Sequence, residues 1–202
     1  MERKAVEQIA EAVMDRIFVK LEASGRHVHV TKAQAHVLFG HELTPERPLS
    51  QPGPFLAKEL LSIIGPKGEF HNVAVLGPER KETQIEISLT DGKTLGLVPP
   101  VHLSGQTVGT PGAVLSGPQG QVQVDQGVMA AQRHIHLSPE DGRRFGVTDK
   151  QVVRLQAFTG RPVVFEDVVV RIHPDFRAAV HLDYDEANAC GFQKGDFGRI
   201  LP

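Results

Sequence analysis

Arg26-His27-Val28-His29-Val30-Thr31 and Arg133-His134-Ile135-His136-Leu137-Ser138 are two copies of one pattern, 107 residues apart (133 − 26), and each runs on to a Phe-Gly pair, Phe39-Gly40 or Phe145-Gly146. On a strand, residues i and i+2 share a face about 6.5 to 7 Å apart, so His27 with His29, and His134 with His136, can converge on one ion. One such dipeptide says little; two inside a repeat, each preceded by arginine, point to metal binding. Two ligands hold zinc poorly, so each pair needs a further donor. In Thr83-Gln84-Ile85-Glu86-Ile87-Ser88 the alternation sets Ile85 and Ile87 on one face and Glu86 on the other, which offers Glu86 to the first pair. In Val180-His181-Leu182-Asp183 a histidine sits between apolar residues, with Asp183, Asp185 and Glu186 near enough to orient it, which offers His181 to the second. The alternatives are a solvated strand carboxylate for Glu86 and a core histidine for His181. Arg80, six residues before Glu86, could clamp an anion such as phosphate; otherwise it is an exposed arginine beside Lys81.

The elements that must position these side chains are short. In each copy a hydroxyl residue follows the strand, Thr31 or Ser138, and can cap a helix of two turns that the glycine ends; Pro139 suits the first helical position. Segments rich in β-branched residues, Asn72 to Leu76, Thr83 to Ser88, Val152 to Gln156, Val163 to Ile172 and Ala178 to Leu182, read as strands. Val6, Ile9, Ala10, Val13, Met14, Ile17 and Leu21 recur at helical steps, so residues 2–22 read as an amphipathic helix closed by Gly25. Residues 44–54 read as a loop and 104–120 as tight turns between short strands. The expected class is mainly β with short helices.

Composition removes other chemistries. Lys plus Arg is 22 against 24 Asp plus Glu, a net charge of −2, which does not suit a nucleic-acid backbone. The single cysteine, Cys190, excludes an internal disulfide and any zinc site that needs two thiolates, and reads as a small packing residue rather than a nucleophile. No apolar run reaches the 18 or so residues of a membrane span, and Glu2, Glu7, Glu11 and Asp15 interrupt any signal-peptide core, so a cytoplasmic protein is expected. No G-x-S-x-G elbow, P-loop or G-x-G-x-x-G follows a strand. His36, His41, His71, His102 and His173 suit surface or loop roles.

These residues resemble the propanediol-utilisation type of phosphotransacylase, the phosphate propanoyltransferase family. The anchors are SGRHVHVT at 24–31, LGPERKETQIEIS at 76–88, SGQTVGTPG at 104–112, QRHIHLSP at 132–139 and HLDYDEANA at 181–189. The resemblance implies two β-barrels, one from 23–25 plus 132–202 and one from 26–131, after an N-terminal helix at 1–22 similar to encapsulation peptides of bacterial microcompartments. It implies a dinuclear zinc site with His27, His29 and Glu86 on one ion and His134, His136 and His181 on the other, and Arg80 near phosphate. It sets Ser24, Leu76 and Asn188 against coenzyme A. The sequence departs from the family's usual pattern at His102 and Gln106, where arginine and aspartate are usual, and at Ala74, an arginine in some members. The activity implied is transfer of a short acyl group such as propanoyl between coenzyme A and inorganic phosphate. Acyl-CoA, phosphate and acyl phosphate are then the small partners, shell or core proteins the possible macromolecular ones, and a homo-oligomer the expected state. Two other readings of the same residues are a dinuclear phosphoester hydrolase and a non-enzymatic, microcompartment-associated binding module.

Overall fold

The computed structural model describes residues 13, 14 and 16–201, and strands dominate it. In chain order they are β1 (Val19–Ser24), β2 (His27–His29), β3 (Pro45–Pro48), β4 (Phe55–Ile64), β5 (Glu69–Gly77), β6 (Gln84–Glu86), β7 (Val101–His102), β8 (Ala113–Ser116), β9 (Gln121–Val124), β10 (Val128–Ala131), β11 (His134–Leu137), β12 (Val152–Phe158), β13 (Val163–Ile172), β14 (Ala179–Asp183) and β15 (Phe197–Leu201). Four short helices lie wholly within the described residues, α1 (Lys32–Phe39), α2 (Leu89–Leu95), α3 (Pro139–Phe145) and α4 (Tyr184–Cys190). Among the described residues no helix is long and apolar enough to cross a membrane.

The chain divides into two compact units. One takes the described residues up to Ala23, Arg133–Leu182 and those from Glu186 onward; the other takes Ser24–Gln132 with Asp183–Asp185. The first is a closed barrel in the order β1-β14-β11-β13-β12-β15, sealed where β1 meets β15 antiparallel, Val19 opposite Gly198. Its core gathers Val19, Leu21, Ile135, Leu137, Leu155, Val170, Val180 and Leu182. The second is a nine-stranded half-barrel sheet, β7-β10-β6-β2-β5-β4-β8-β9 with β3 pairing β4, over a separate core that includes Val28, Val30, Leu38, Val75, Ile85 and Leu115.

The helices begin and end where the residue types dictate. Thr31, Ser88 and Ser138 each accept from the N–H three residues on, while the side chain of that residue, Gln34, Asp91 or Asp141, answers the cap's own N–H. Each helix stops at a glycine with positive φ, for example Gly40 at 81°, a conformation costly for any residue with a Cβ.

Two expectations need correction. The helix expected over 2–22 does not reach its far end: residues 13, 14, 16 and 17 are helical, but Val19–Ser24 is strand β1, and the rest of that helix lies outside the described residues. Leu21 satisfies both a helical and a strand period, and barrel pairing decides; Val19 and Leu21 are buried while Lys20 between them is exposed. The loop at 44–54 contains β3, whose two prolines are tolerated because it pairs only with β4 and sits off the sheet's path.

Candidate metal centres

Among the described residues each unit carries one group of side chains that can hold an ion: His27, His29 and Glu86 in the sheet, and His134, His136 and His181 in the barrel, with donor atoms inside 4.8 Å of one another in each group. Both arise the same way. A His-x-His strand lies antiparallel to a strand carrying the third donor, and that donor stands directly opposite the first histidine, His27 opposite Glu86 and His134 opposite His181. Apolar neighbours face the cores, Val28 and Ile85 in one unit, Ile135, Val180 and Leu182 in the other, which turns the donors to the opposite face. The ring centroids of His27 and His29 are 5.1 Å apart, those of His134 and His136 4.7 Å, and His181 is 5.2 Å from His134 and 4.7 Å from His136.

All four donor strands share a grammar: donor, apolar residue, then the residue that opens a helix. It reads His29-Val30-Thr31, Glu86-Ile87-Ser88, His136-Leu137-Ser138 and His181-Leu182-Asp183. The arginine that precedes each His-x-His ties its strand to the helix that follows the partner strand. Arg26 donates to Asp91 in α2 through Nε and Nη2, 3.1 and 2.7 Å, and Arg133 meets Glu186 in α4 at 2.6 Å.

Backbone carbonyls set the imidazole tautomers in the sheet. His27 Nδ1 donates to the Gly25 carbonyl at 2.8 Å and His29 Nδ1 to the Leu76 carbonyl at 3.0 Å, which leaves both Nε2 atoms as acceptors for a cation. His27 Nε2 lies 3.5 Å from Glu86 Oε1. That is too long for a hydrogen bond, and close to the edge of about 3.4 Å that nitrogen and oxygen donors span on tetrahedral zinc. In the barrel, His136 Nδ1 is buried without a hydrogen-bond partner among the described residues, an orphan that a bound cation would satisfy.

The electrostatics keep two of these donors, His29 and His136, neutral. Burial first, then the charges of His27 and Arg80, lower His29 to about 3. Burial, then His134 and His181, lower His136 to about 2. For His27, burial opposes the charge, but Glu86, through its charge and its contact, carries the balance and raises it. Arg80 reaches the sheet centre through Ser104: its Nη1 donates to Ser104 Oγ at 3.1 Å, and Ser104 Oγ accepts from Gln84, which also donates to Glu86. The donor set, all nitrogen and oxygen, fits a borderline divalent ion such as zinc.

The remaining expected site residues fall as follows. Ser24 lines a crevice of the sheet unit with Arg26, Glu86, Ser88 and Tyr184. Leu76 acts through its carbonyl on His29. Asn188 is exposed on α4. His36, His41, His71 and His173 are exposed, as sequence position suggests. Two of the carboxylates expected to orient His181 are engaged elsewhere, Glu186 with Arg133 and Asp185 with the Thr90 N–H at 2.9 Å. The carboxylate found at His181 is Glu22, whose Oε2 is 3.4 Å from His181 Nε2. Sequence reading misses Glu22 because it assigns residues 2–22 to a helix; the signal that finds it is the alternation Val19-Lys20-Leu21-Glu22, a strand running up to Gly25.

A family model described as Phosphate propanoyltransferase matches residues 20–193. Curated proteins named "Phosphate propanoyltransferase" are similar along nearly the whole chain. The one from Listeria monocytogenes serovar 1/2a (strain ATCC BAA-679 / EGD-e) is 48% identical over 198 residues, 97% of this chain and 93% of its own. That from Clostridioides difficile (strain 630) is also 48% identical, over 97% and 95%. That from Thermotoga maritima (strain ATCC 43589 / DSM 3109 / JCM 10099 / NBRC 100826 / MSB8) is 49% identical over 181 residues, 88% and 86%.

Proposed function

The chain belongs to the phosphate propanoyltransferase family and is an acyltransferase that works with phosphate, and from that premise we propose that coenzyme A carries the acyl group and that two divalent ions, zinc by donor type, serve the transfer. His27, His29 and Glu86 hold one ion, and His134, His136 and His181 hold the other. The observation that carries this reading is the repeated three-donor group, built twice in one register, with Arg80 beside the first. When bound, each ion would supply Lewis acidity toward a thiol sulfur or a developing oxyanion.

The chain's own residues do the rest. Arg80 binds phosphate through its guanidinium fork, held in place by Ser104, and offsets the negative charge that two anionic partners bring together. A phosphate oxygen attacks the thioester carbonyl, the carbon–sulfur bond breaks, and the phosphate proton leaves with the sulfur, so acyl-CoA and phosphate give acyl phosphate and free coenzyme A. Phosphate is already an anionic nucleophile near neutral pH, so positioning carries much of the rate and no covalent acyl-enzyme is needed. Ser24, Leu76 and Asn188 make the coenzyme contacts, and a short acyl chain such as propanoyl is the group moved. The segment that precedes β1 directs the protein to a bacterial microcompartment in this reading.

Thiol release from propanoyl-CoA should require added phosphate and yield acyl phosphate, trapped as a hydroxamate; release at the same rate without phosphate would instead favour a hydrolase. Arg80→Ala should raise the KM for phosphate by about 10- to 100-fold, the loss of a charged hydrogen-bonding partner, with little change in the KM for propanoyl-CoA. An unchanged phosphate dependence would return Arg80 to a surface role.

A further inference from the structure

We propose that Gln84 is a positioning residue for the sheet centre, its side-chain amide holding the Glu86 carboxylate toward His27. The inference rests on reading His27, His29 and Glu86 as a metal centre. Gln84 is 2% exposed, and an amide that deep must satisfy both its ends. It lies two residues before Glu86 on β6, on the same face and directly opposite His29, while Ile85 between them faces the core.

Its orientation is fixed by a group that can only donate. The Gly105 N–H lies 2.7 Å from one amide atom, which must therefore be the oxygen, Oε1. The nitrogen then faces the other way, where Nε2 donates to Glu86 Oε1 and to Ser104 Oγ at 3.0 Å. Ser104 Oγ returns its own hydrogen to Gln84 Oε1 at 3.3 Å and receives Arg80 Nη1. One buried amide thus braces the carboxylate on one side and the Ser104–Gly105 turn on the other. Glu86 has three side-chain torsions, and a neutral donor at its carboxylate limits them without cancelling the charge a cation needs.

The test uses the full-length protein and zinc, titrated against a chromophoric chelator, with cobalt substitution to read the ligand field. Gln84→Met keeps the volume and removes both polar ends. The expected result is two ions per chain, one of them bound about 10- to 100-fold more weakly than in the wild type, the other unchanged. Glu86→Gln identifies the affected ion, and the cobalt spectrum of that ion should change with it. If Gln84 only props the Ser104 turn, Gln84→Met alters phosphate saturation while zinc affinity and the cobalt spectrum stay as in the wild type, and the proposal is overturned. Should Gln84→Met fail to fold, Gln84→Asn, one methylene too short to span Gly105 and Glu86, carries the same two outcomes. A wild-type chain that holds no divalent ion would remove the metal reading itself, a separate result from tight binding in both proteins.

Discussion

A histidine buried beside other histidines is a liability in acid and an asset as a ligand, and His29 and His136 show both. Each has an ordinary value of 6.5 when unfolded and is lowered in the fold, His29 to about 3 and His136 to about 2. Below pH 6.5 the unfolded chain takes a proton that the folded chain refuses, so the metal-free protein should lose about 1.4 kcal/mol per pH unit for each as the pH falls. His27, raised instead, contributes its stability in full below 6.5 and loses it as the pH rises through its folded value. Urea unfolding of chelator-treated protein at about pH 7, 6 and 5 checks this. His136→Gln should make the slope shallower by one proton's worth, and an identical slope would contradict the assignment. At this scale much was legible in the sequence: alternation alone offered Glu86 and His181 as donors. The hydrogen bonds that His27 and His29 donate to the Gly25 and Leu76 carbonyls, which set the tautomers, were not, since nothing in the residue types marks which carbonyl a ring nitrogen will meet.

At the scale of elements, the recurring unit is strand, cap, short helix and glycine. Two copies were visible from Thr31 and Ser138; the copy at Ser88 was missed because Glu86-Ile87-Ser88 lacks the paired histidines that drew attention to the others, and the register that sets residue 86 opposite residue 27 is a tertiary fact. The arginine clamps were hidden for the same reason: Arg26 and Asp91 are 65 residues apart. Their worth should be measurable. Ser138→Ala removes a cap alone and should cost about 1 kcal/mol. Asp91→Ala removes both the answering half of a capping box and a bidentate arginine partner, and leaves a guanidinium half-buried, so it should cost about 2 to 3 kcal/mol. Equal losses in urea unfolding would show that the Arg26 clamp adds nothing.

For the whole molecule, two cores and two donor groups, one of each per unit, make a specific claim about metal content. Dialysed protein should retain two ions per chain by elemental analysis, and stripping them should lower Tm, because an ion that binds only the folded form stabilises it by mass action. A Tm indifferent to chelation would mean that the donor groups stand without a cation in solution. The mainly β class was legible from β-branched runs between turns. The helix over 2–22 ran too far because a period of 3.6 and a period of 2 coincide at Leu21, and only the barrel seam separates them.

That seam joins Val19 to Gly198, residues 179 apart in sequence (198 − 19). During synthesis the strands β2–β10 of the sheet unit leave the ribosome before β11–β15 exist, so one half can form while the other waits with β1 unpaired. The cylinder therefore closes only once β15 has been made, and a stop codon after β10 and before Phe197 leaves a protein with a formed sheet unit and an open, adhesive remainder.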